Sequence, residues 1–485
     1  MMRSLLASSR ARLGLALGLI GMGLAAPARA ADPAKPMNVL FIAVDDLNHW
    51  VGHLGRNPQT ITPNIDRLAA KGVRFTRNYC AAPVCNPARA ALMSGLRPST
   101  TGVYENNNDW RTVVPEALTL PTTFRKAGYR VMGSGKIYHE SYARPSEWDD
   151  YMEKATPDPL PKGDTGVGGI KFAPLDCQDS DIREYKIVQY GIDELAKPQD
   201  KPFFLAVGLH KPHMPWNVPR KYYDMHPLDS IQLPPHTEGD LADIPPSGIK
   251  MAKPNGDHKL MLETGRWKEA VQGYLAAISF CDAMIGRLLD GFEKSPHRDN
   301  TVIVFWGDHG WHLGEKEHWR KFALWEEATR APLIWVAPGV TQPNTVCDRT
   351  VDHMSIYPTL TDLCGIPTPK HVEGPSIKAL LQDPRAAWDR PAVTTYNFKN
   401  HAVRNEGWRY IRYANGEEEL YDEAADPYEW KNLAGDPAQA ARKAEMARHM
   451  PTVNHEDIGD APRPAGKAAG KQARAKAKAK AQDQD

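Results

Sequence analysis

A chain of 485 residues, 41% hydrophobic and 25% charged, is long enough for one large domain plus a smaller one and apolar enough for a full core. Its formal charge of +1 is unevenly spread: residues 1–30 carry +4, Arg463–Asp485 carry +5, and the body between them carries −8. So acidic a body excludes a nucleic-acid-binding role and argues against a broad basic groove for a long polyanion. Positive charge serving an anionic ligand must therefore be concentrated in a pocket.

The first 30 residues read as a secretion signal: Arg3, Arg10 and Arg12, the apolar run Leu13–Leu24, then the A-x-A site Ala28-Arg29-Ala30. That run is too short for a membrane span, and no other segment approaches the roughly 20 apolar residues a span needs. The expectation is an exported, periplasmic or secreted protein. Its six cysteines, Cys80, Cys85, Cys177, Cys281, Cys347 and Cys364, are then in a compartment that permits disulfides. No C-x-x-C pair suggests zinc.

Asn38–Val44 (NVLFIAV) is a continuous apolar run ending in Asp45-Asp46 and predicts a buried parallel strand. Asn64–Lys71 has helical spacing with Gly72 as its stop, and Val73-Arg74-Phe75 begins a new strand. Leu120–Ala127 predicts a helix closed by Gly128, and Tyr129–Gly133 a strand leading to Gly135-Lys136. Pro202–Leu209 is a buried strand followed at once by His210. Trp267–Glu293 is a long amphipathic helix, Thr301–Trp306 a buried strand ending in Gly307-Asp308-His309, and Pro332–Val336 one more strand. Such alternation predicts a large doubly wound α/β/α domain with a mainly parallel, mixed sheet. In such folds ligands bind beyond the carboxyl ends of the strands. Asp45-Asp46, Lys136, His210 and Asp308-His309 all follow strands, so they should meet at one rim.

After about Pro391 the pattern becomes antiparallel: Ala402–Arg404, Trp408–Tyr413 and Glu418–Asp422 predict a small α+β subdomain. The expected organisation is a signal peptide over 1–30, a catalytic domain over 36–390, a C-terminal subdomain over 391–461 and a disordered basic tail over 462–485.

Cys85-Asn86-Pro87-Ala88-Arg89 has the form C-x-P-x-R, extended by Ala90, Ala91, Leu92, Ser94 and Gly95. Asn86-Pro87 favours a turn and Ala88–Met93 can begin a helix, which sets Cys85 near a helix N-terminus, where anions are favoured. The bland alternative is a buried or disulfide-bonded cysteine. For Asp45-Asp46 it is helix capping at a strand end, and for a lone histidine a structural role.

With these motifs the chain resembles, over roughly Met37–Asn432, the type I sulfatase family of the alkaline phosphatase superfamily. Gly135-Lys136-Ile137-Tyr138-His139 and His210-Lys211-Pro212-His213 resemble its iduronate-2-sulfatase-like branch. The resemblance implies that Cys85 is oxidised to formylglycine by a formylglycine-generating or other sulfatase-maturing enzyme. One hydroxyl of the aldehyde hydrate attacks sulfur, and the other lets the bound sulfate ester collapse to aldehyde and free sulfate. It further implies that Asp45, Asp46, Cys85, Asp308 and His309 hold Ca²⁺, with Mg²⁺ as the alternative. His309 departs from the Asn found in many members, and an imidazole is an unusual Ca²⁺ ligand, so a place behind the ligands is its other reading. Arg89 would stabilise the nucleophile and the metal cluster. Lys136 and Lys321 would bind sulfate oxygens, and His139 would act as base in the elimination. His210 would protonate the departing sugar oxygen, and His213 would contact substrate or serve structure. Arg97 reads as structural. The implied substrate is a sulfated sugar. A phosphonate or phosphodiester hydrolase or a choline sulfatase is the alternative within the superfamily. A non-catalytic sulfated-glycan-binding protein would require loss of an essential group, and none is missing.

Overall fold

The computed structural model describes residues 36–139, 144–152, 157–163 and 165–460. The expected secretion signal and basic tail lie outside the described residues. Among the described residues no helix is long and apolar enough to cross a membrane.

The large sheet is built from β1 (Asn38–Val44), β2 (Val73–Tyr79), β3 (Arg130–Gly135), β4 (Asp150–Met152), β5 (Phe203–Leu209), β6 (Thr301–Gly307), β7 (Leu333–Val336) and β8 (Thr345–Asp352). Their spatial order is β8-β2-β7-β6-β1-β5-β3-β4. β7 alone is reversed, antiparallel to both β2 and β6, so the sheet is mixed but mainly parallel. Because β7 inverts direction between two neighbours, β2 ends on the same rim as β1, β3, β5 and β6.

Both faces of the sheet are covered. Leu40, Ile42 and Val44 of β1 belong to one core, which includes Tyr274, Leu275 and Ile278 of a 27-residue helix, Trp267–Glu293. The alternate residues Val39, Phe41 and Ala43 belong to a second core with Leu92, Phe124 and Ile356. This two-sided burial is the physical reason β1 reads as an unbroken apolar run instead of an alternating one. β8 was not legible in the sequence: its TVCDRTVD is polar, it lies at the sheet edge, and its register shifts between Cys347 and Thr350.

The second sheet comprises β9 (Ala392–Thr395), β10 (His401–Arg404), β11 (Trp408–Arg412) and β12 (Glu418–Asp422), antiparallel in sequence order. Its buried Arg409 reaches the large domain. The guanidinium bonds Glu326 and donates to the Leu324 carbonyl at 3.0 Å, while Glu423 and Glu429 close around it at 3.2 and 2.5 Å. Glu326 and Leu324 lie a few residues after Lys321, so this sheet braces the segment carrying that lysine. All six cysteines are free thiols.

Candidate active site

The strand ends are held together beyond the strands themselves. Asp45 N–H donates to the Leu209 carbonyl (3.2 Å), Asp308 N–H to the Val44 carbonyl (3.1 Å) and Lys136 N–H to the Gly208 carbonyl (2.8 Å). At Lys136 two glycines make this possible. Gly135 has φ +72°, and a Cβ there would strike the Gly208 carbonyl; a Cβ on Gly208 would strike the Lys136 backbone. Asp46 takes the left-handed conformation, φ 58°, with its N–H on Asp308 Oδ1 (3.0 Å) and its carbonyl accepting from the Tyr274 hydroxyl (2.7 Å). A non-glycine residue held there is a local cost that persists only because neighbours fix it.

After the helix α1 (Pro63–Ala70) and strand β2, Cys85 opens the helix α2 (Cys85–Ser94), capped behind it by extended Val84 and closed by Gly95 at φ 74°. Arg89, one turn on, faces the same way. It is fully buried and donates to Asp308 Oδ2 (2.9 Å), Asp45 Oδ1 (3.4 Å) and the carbonyls of Lys136 (2.6 Å) and Ile137 (3.2 Å). Asn86 is anchored by the loop after Tyr104: its N–H donates to Asn106 Oδ1 (3.0 Å), its amide to the Glu105 and Asn108 carbonyls. The loop over 105–108 is therefore the clamp on the turn holding Cys85.

Lys321 comes from outside the strand ends. Arg320 and Phe322 on either side of it have φ 78° and 73°, Phe322 N–H donates to the Pro83 carbonyl (3.2 Å), and His318 bridges the Lys321 and Ala252 carbonyls at 2.7 Å each. The result is Lys321 Nζ at 2.7 Å from Asp46 Oδ1 and 2.8 Å from Cys85 Sγ. Lys136 Nζ bonds Asp45. Three carboxylates thus face three cations in a buried cluster around Cys85. Burial alone would raise the Asp45 carboxyl, but Lys136, His213 and Arg89 hold it well below the usual range. Asp46 is lowered too, against its burial, by Lys321 and His213. Burial, reinforced by Asp45, pushes the Cys85 thiol well above its usual range.

The histidines fall into two groups. His309 Nδ1–H donates to the Gly310 carbonyl (3.0 Å), which leaves the Nε2 lone pair facing Cys85 Sγ (3.3 Å), Asp46 Oδ1 (3.4 Å) and Asp308 Oδ1 (3.5 Å). His213 Nδ1–H donates to the Met214 carbonyl (2.6 Å), leaving Nε2 toward Asp46 Oδ2 at 3.9 Å. His139 and His210 stand beside Lys136 and Asp45. Burial and then Lys136 push His139 down to about 3, so its ring is neutral at neutral pH. Burial likewise lowers His210 well below the usual range.

A divalent cation fits this donor set. Ligand atoms of Asp45, Cys85, Asp308 and His309 all lie within 4.8 Å of one another, as do those of Asp45, Asp46, Cys85 and His213. Asp46 Oδ2 is buried without a hydrogen-bond partner, and two histidine lone pairs converge on carboxylate oxygens, an arrangement of acceptors facing acceptors that a cation resolves. Carboxylate oxygens suit a hard ion.

The structure brings together Asp45, Asp46, Cys85, Arg89, Lys136, His139, His210, His213, Asp308, His309 and Lys321. Arg97 stands apart: it bonds Asp352 (2.8 Å) and the Val393 carbonyl (3.1 Å), a structural tie. Sequence reasoning missed the support of Lys321 by His318 and the carboxylate of Glu184, 3.9 Å from His210 Nδ1. Neither lies in a recognisable motif.

Comparison with known proteins gives these residues a context. A family model described as "Sulfatase" matches residues 37–366, and one described as "N-sulphoglucosamine sulphohydrolase, C-terminal" matches 314–456. A protein named "Sulfatase" from Formosa agariphila is 40% identical over 448 residues, covering 87% of both chains. Human iduronate 2-sulfatase is 28% identical over 426 residues, 76% of each chain. Among solved structures, a phosphonate monoester hydrolase from Silicibacter pomeroyi shares the fold with a TM-score of 0.73 at 21% identity, covering 85% of this chain and 94% of that one. The match along most of the chain, the rim of strand ends included, leaves one conclusion: this protein belongs to the sulfatase family and is a hydrolase.

Proposed function

We propose that the protein removes sulfate from a sulfated sugar of the iduronate-2-sulfate type, using formylglycine at position 85 and a bound Ca²⁺. The observation that carries this reading is the surroundings of Cys85. Its Sγ lies at a helix N-terminus, 2.8 Å from Lys321 Nζ and 3.3 Å from His309 Nε2, among buried carboxylates. Conversion by a sulfatase-maturing enzyme and export of the chain are parts of the same proposal.

Asp45, Asp46, Asp308 and His309 would hold the cation beside residue 85. Bound there, it would supply the positive charge that acidifies the attacking hydroxyl and steadies a sulfate oxygen. Lys136 and Lys321 bring two buried ammonium groups to the same point and would carry the charge that builds on the sulfuryl oxygens. Arg89 holds Asp45 and Asp308 in register while its own charge offsets theirs. His139, beside Lys136 and Asp45, would take the proton from the residue-85 hydroxyl when sulfate is expelled. His210, at the end of β5, would give a proton to the leaving sugar oxygen.

The deciding experiment is sulfate release from a 2-O-sulfated uronic acid by protein made with a maturing enzyme, run beside an aryl phosphonate monoester. Sulfate turnover dominating by kcat/KM supports the reading. Phosphonate turnover dominating would transfer the chain to the alternative chemistry of its superfamily.

The metal is testable without turnover. Chelation should lower the melting temperature, and Ca²⁺ restoring it at about 100 times its Kd should contribute about 2.7 kcal/mol. The Asp308→Asn variant should lose most of that shift. A melting temperature indifferent to chelator and Ca²⁺ would remove the ion from the proposal.

A further inference from the structure

Beneath His210 lies a buried carboxylate without an assigned role. Glu184 is in the first turn of the helix α3 (Arg183–Ala196), where the helix dipole favours a negative charge. Its Oε1 accepts the Lys211 N–H at 3.1 Å, which pins the backbone one residue past His210. The same oxygen stands 3.9 Å from His210 Nδ1. Glu184 Oε2 and His210 Nδ1 are both buried polar atoms without a hydrogen-bond partner, an uncommon situation for either. Other charges around the pair are engaged elsewhere. Lys211 Nζ donates to the Pro215 carbonyl at 2.6 Å, and Arg183 Nε to Asp158 Oδ2 at 3.1 Å. On the open side stand Lys136 with Asp45, and Arg89. The His210 side chain is about a third exposed (32%), with Nδ1 on the Glu184 side.

Resting on the sulfatase reading above, we propose that Glu184 is the positioning residue for His210. Its carboxylate receives the Nδ1–H, fixes the plane of the protonated ring, and leaves Nε2–H as the proton donor to the departing sugar oxygen. In that step the residue-85 hydroxyl, having lost its proton to solvent, bonds sulfur as the bond from sulfur to the sugar oxygen breaks. The electron pair stays on the sugar oxygen, which takes the Nε2 proton. His210 becomes neutral with its proton on Nδ1, still donated to Glu184, and Nε2 is reprotonated from solvent. The carboxylate remains anionic throughout and stabilises the charged ring before transfer. Burial disfavours the charge on each partner separately, raising Glu184 and lowering His210, and pairing them offsets both penalties. Gaps of this size are ordinary in ligand-free sites and close when substrate orders the ring.

The test is Glu184→Gln in the matured enzyme, assayed on two sulfate esters. On a sugar sulfate, whose alkoxide leaves poorly without a proton, kcat/KM should fall on the order of 10- to 100-fold. On an aryl sulfate with an acidic phenol, which leaves unaided, the fall should stay within about 3-fold. Combining it with His210→Ala should add nothing to His210→Ala alone. Independently of turnover, the ¹H–¹⁵N imidazole spectrum should show His210 protonated at Nδ1 in the parent and altered in Glu184→Gln. Equal losses on both esters, or a His210 spectrum unchanged by the substitution, would overturn the positioning role. A parent enzyme that turns over neither ester counts against the sulfatase reading instead, and the spectrum still decides Glu184.

Discussion

Cys85→Ala is expected to abolish sulfate release, with kcat falling roughly 10³- to 10⁶-fold, while the protein remains folded. The side chain is small, so its removal leaves only a minor cavity, costing about 1–2 kcal/mol. The chemical loss is large because nothing nearby can replace the nucleophile. The site offers carboxylates engaged by Lys136, Lys321 and Arg89, and imidazoles fixed by the Gly310 and Met214 carbonyls. The parent must be compared in two forms. Made with a maturing enzyme, the peptide containing Cys85 should carry the mass of an aldehyde in place of a thiol, and activity should scale with that fraction. Made without one, it should keep its thiol and be nearly inactive, since burial keeps that thiol protonated. Full activity with an intact Cys85 thiol, or near-parent activity in Cys85→Ala, would refute the proposed nucleophile.

What could be read from the sequence followed a physical rule. A strand buried on both faces is an apolar run, and its end is where polarity begins; Val44/Asp45, Leu209/His210 and Gly307/Asp308 are such junctions. Parallel topology then gathers them at one rim, so residues hundreds of positions apart were brought together without any contact information. The limits were equally physical. β8 is polar and bulged at an edge, so no periodicity marked it. Lys321 sits at no strand end. It is positioned by His318, by left-handed neighbours and by the Pro83 carbonyl, and ultimately by Arg409 of the second sheet bonding Glu326. Only its resemblance to a motif revealed it. Glu184 was hidden because a glutamate in the first turn of an amphipathic helix is an ordinary helix-start residue, and nothing local says that its carboxylate points to another strand's end.

Arg89 should be the residue whose loss most damages the fold of the site itself. Arg89→Ala is expected to destabilise the protein by about 3–5 kcal/mol, the usual consequence of removing one partner from a buried ion pair. The guanidinium satisfies Asp308 and Asp45, and it also satisfies the Lys136 and Ile137 carbonyls, all at a position with no solvent access. Removing it leaves two carboxylates short of a counter-charge and two carbonyls short of a donor. Arg89→Lys should recover part of the loss, because one ammonium can reach a carboxylate but cannot also span both carbonyls. Ca²⁺ should offset the Arg89→Ala defect more than it stabilises the parent, because added positive charge is worth most where three carboxylates have lost one of three cations. The measurement is urea unfolding of parent, Arg89→Lys and Arg89→Ala, each with Ca²⁺ and with chelator. If Arg89→Ala unfolds within about 1 kcal/mol of the parent, the buried cluster is not a single electrostatic unit. If Ca²⁺ stabilises all three equally, the arginine and the ion act on separate groups, and Asp45 and Asp308 do not belong to a shared site.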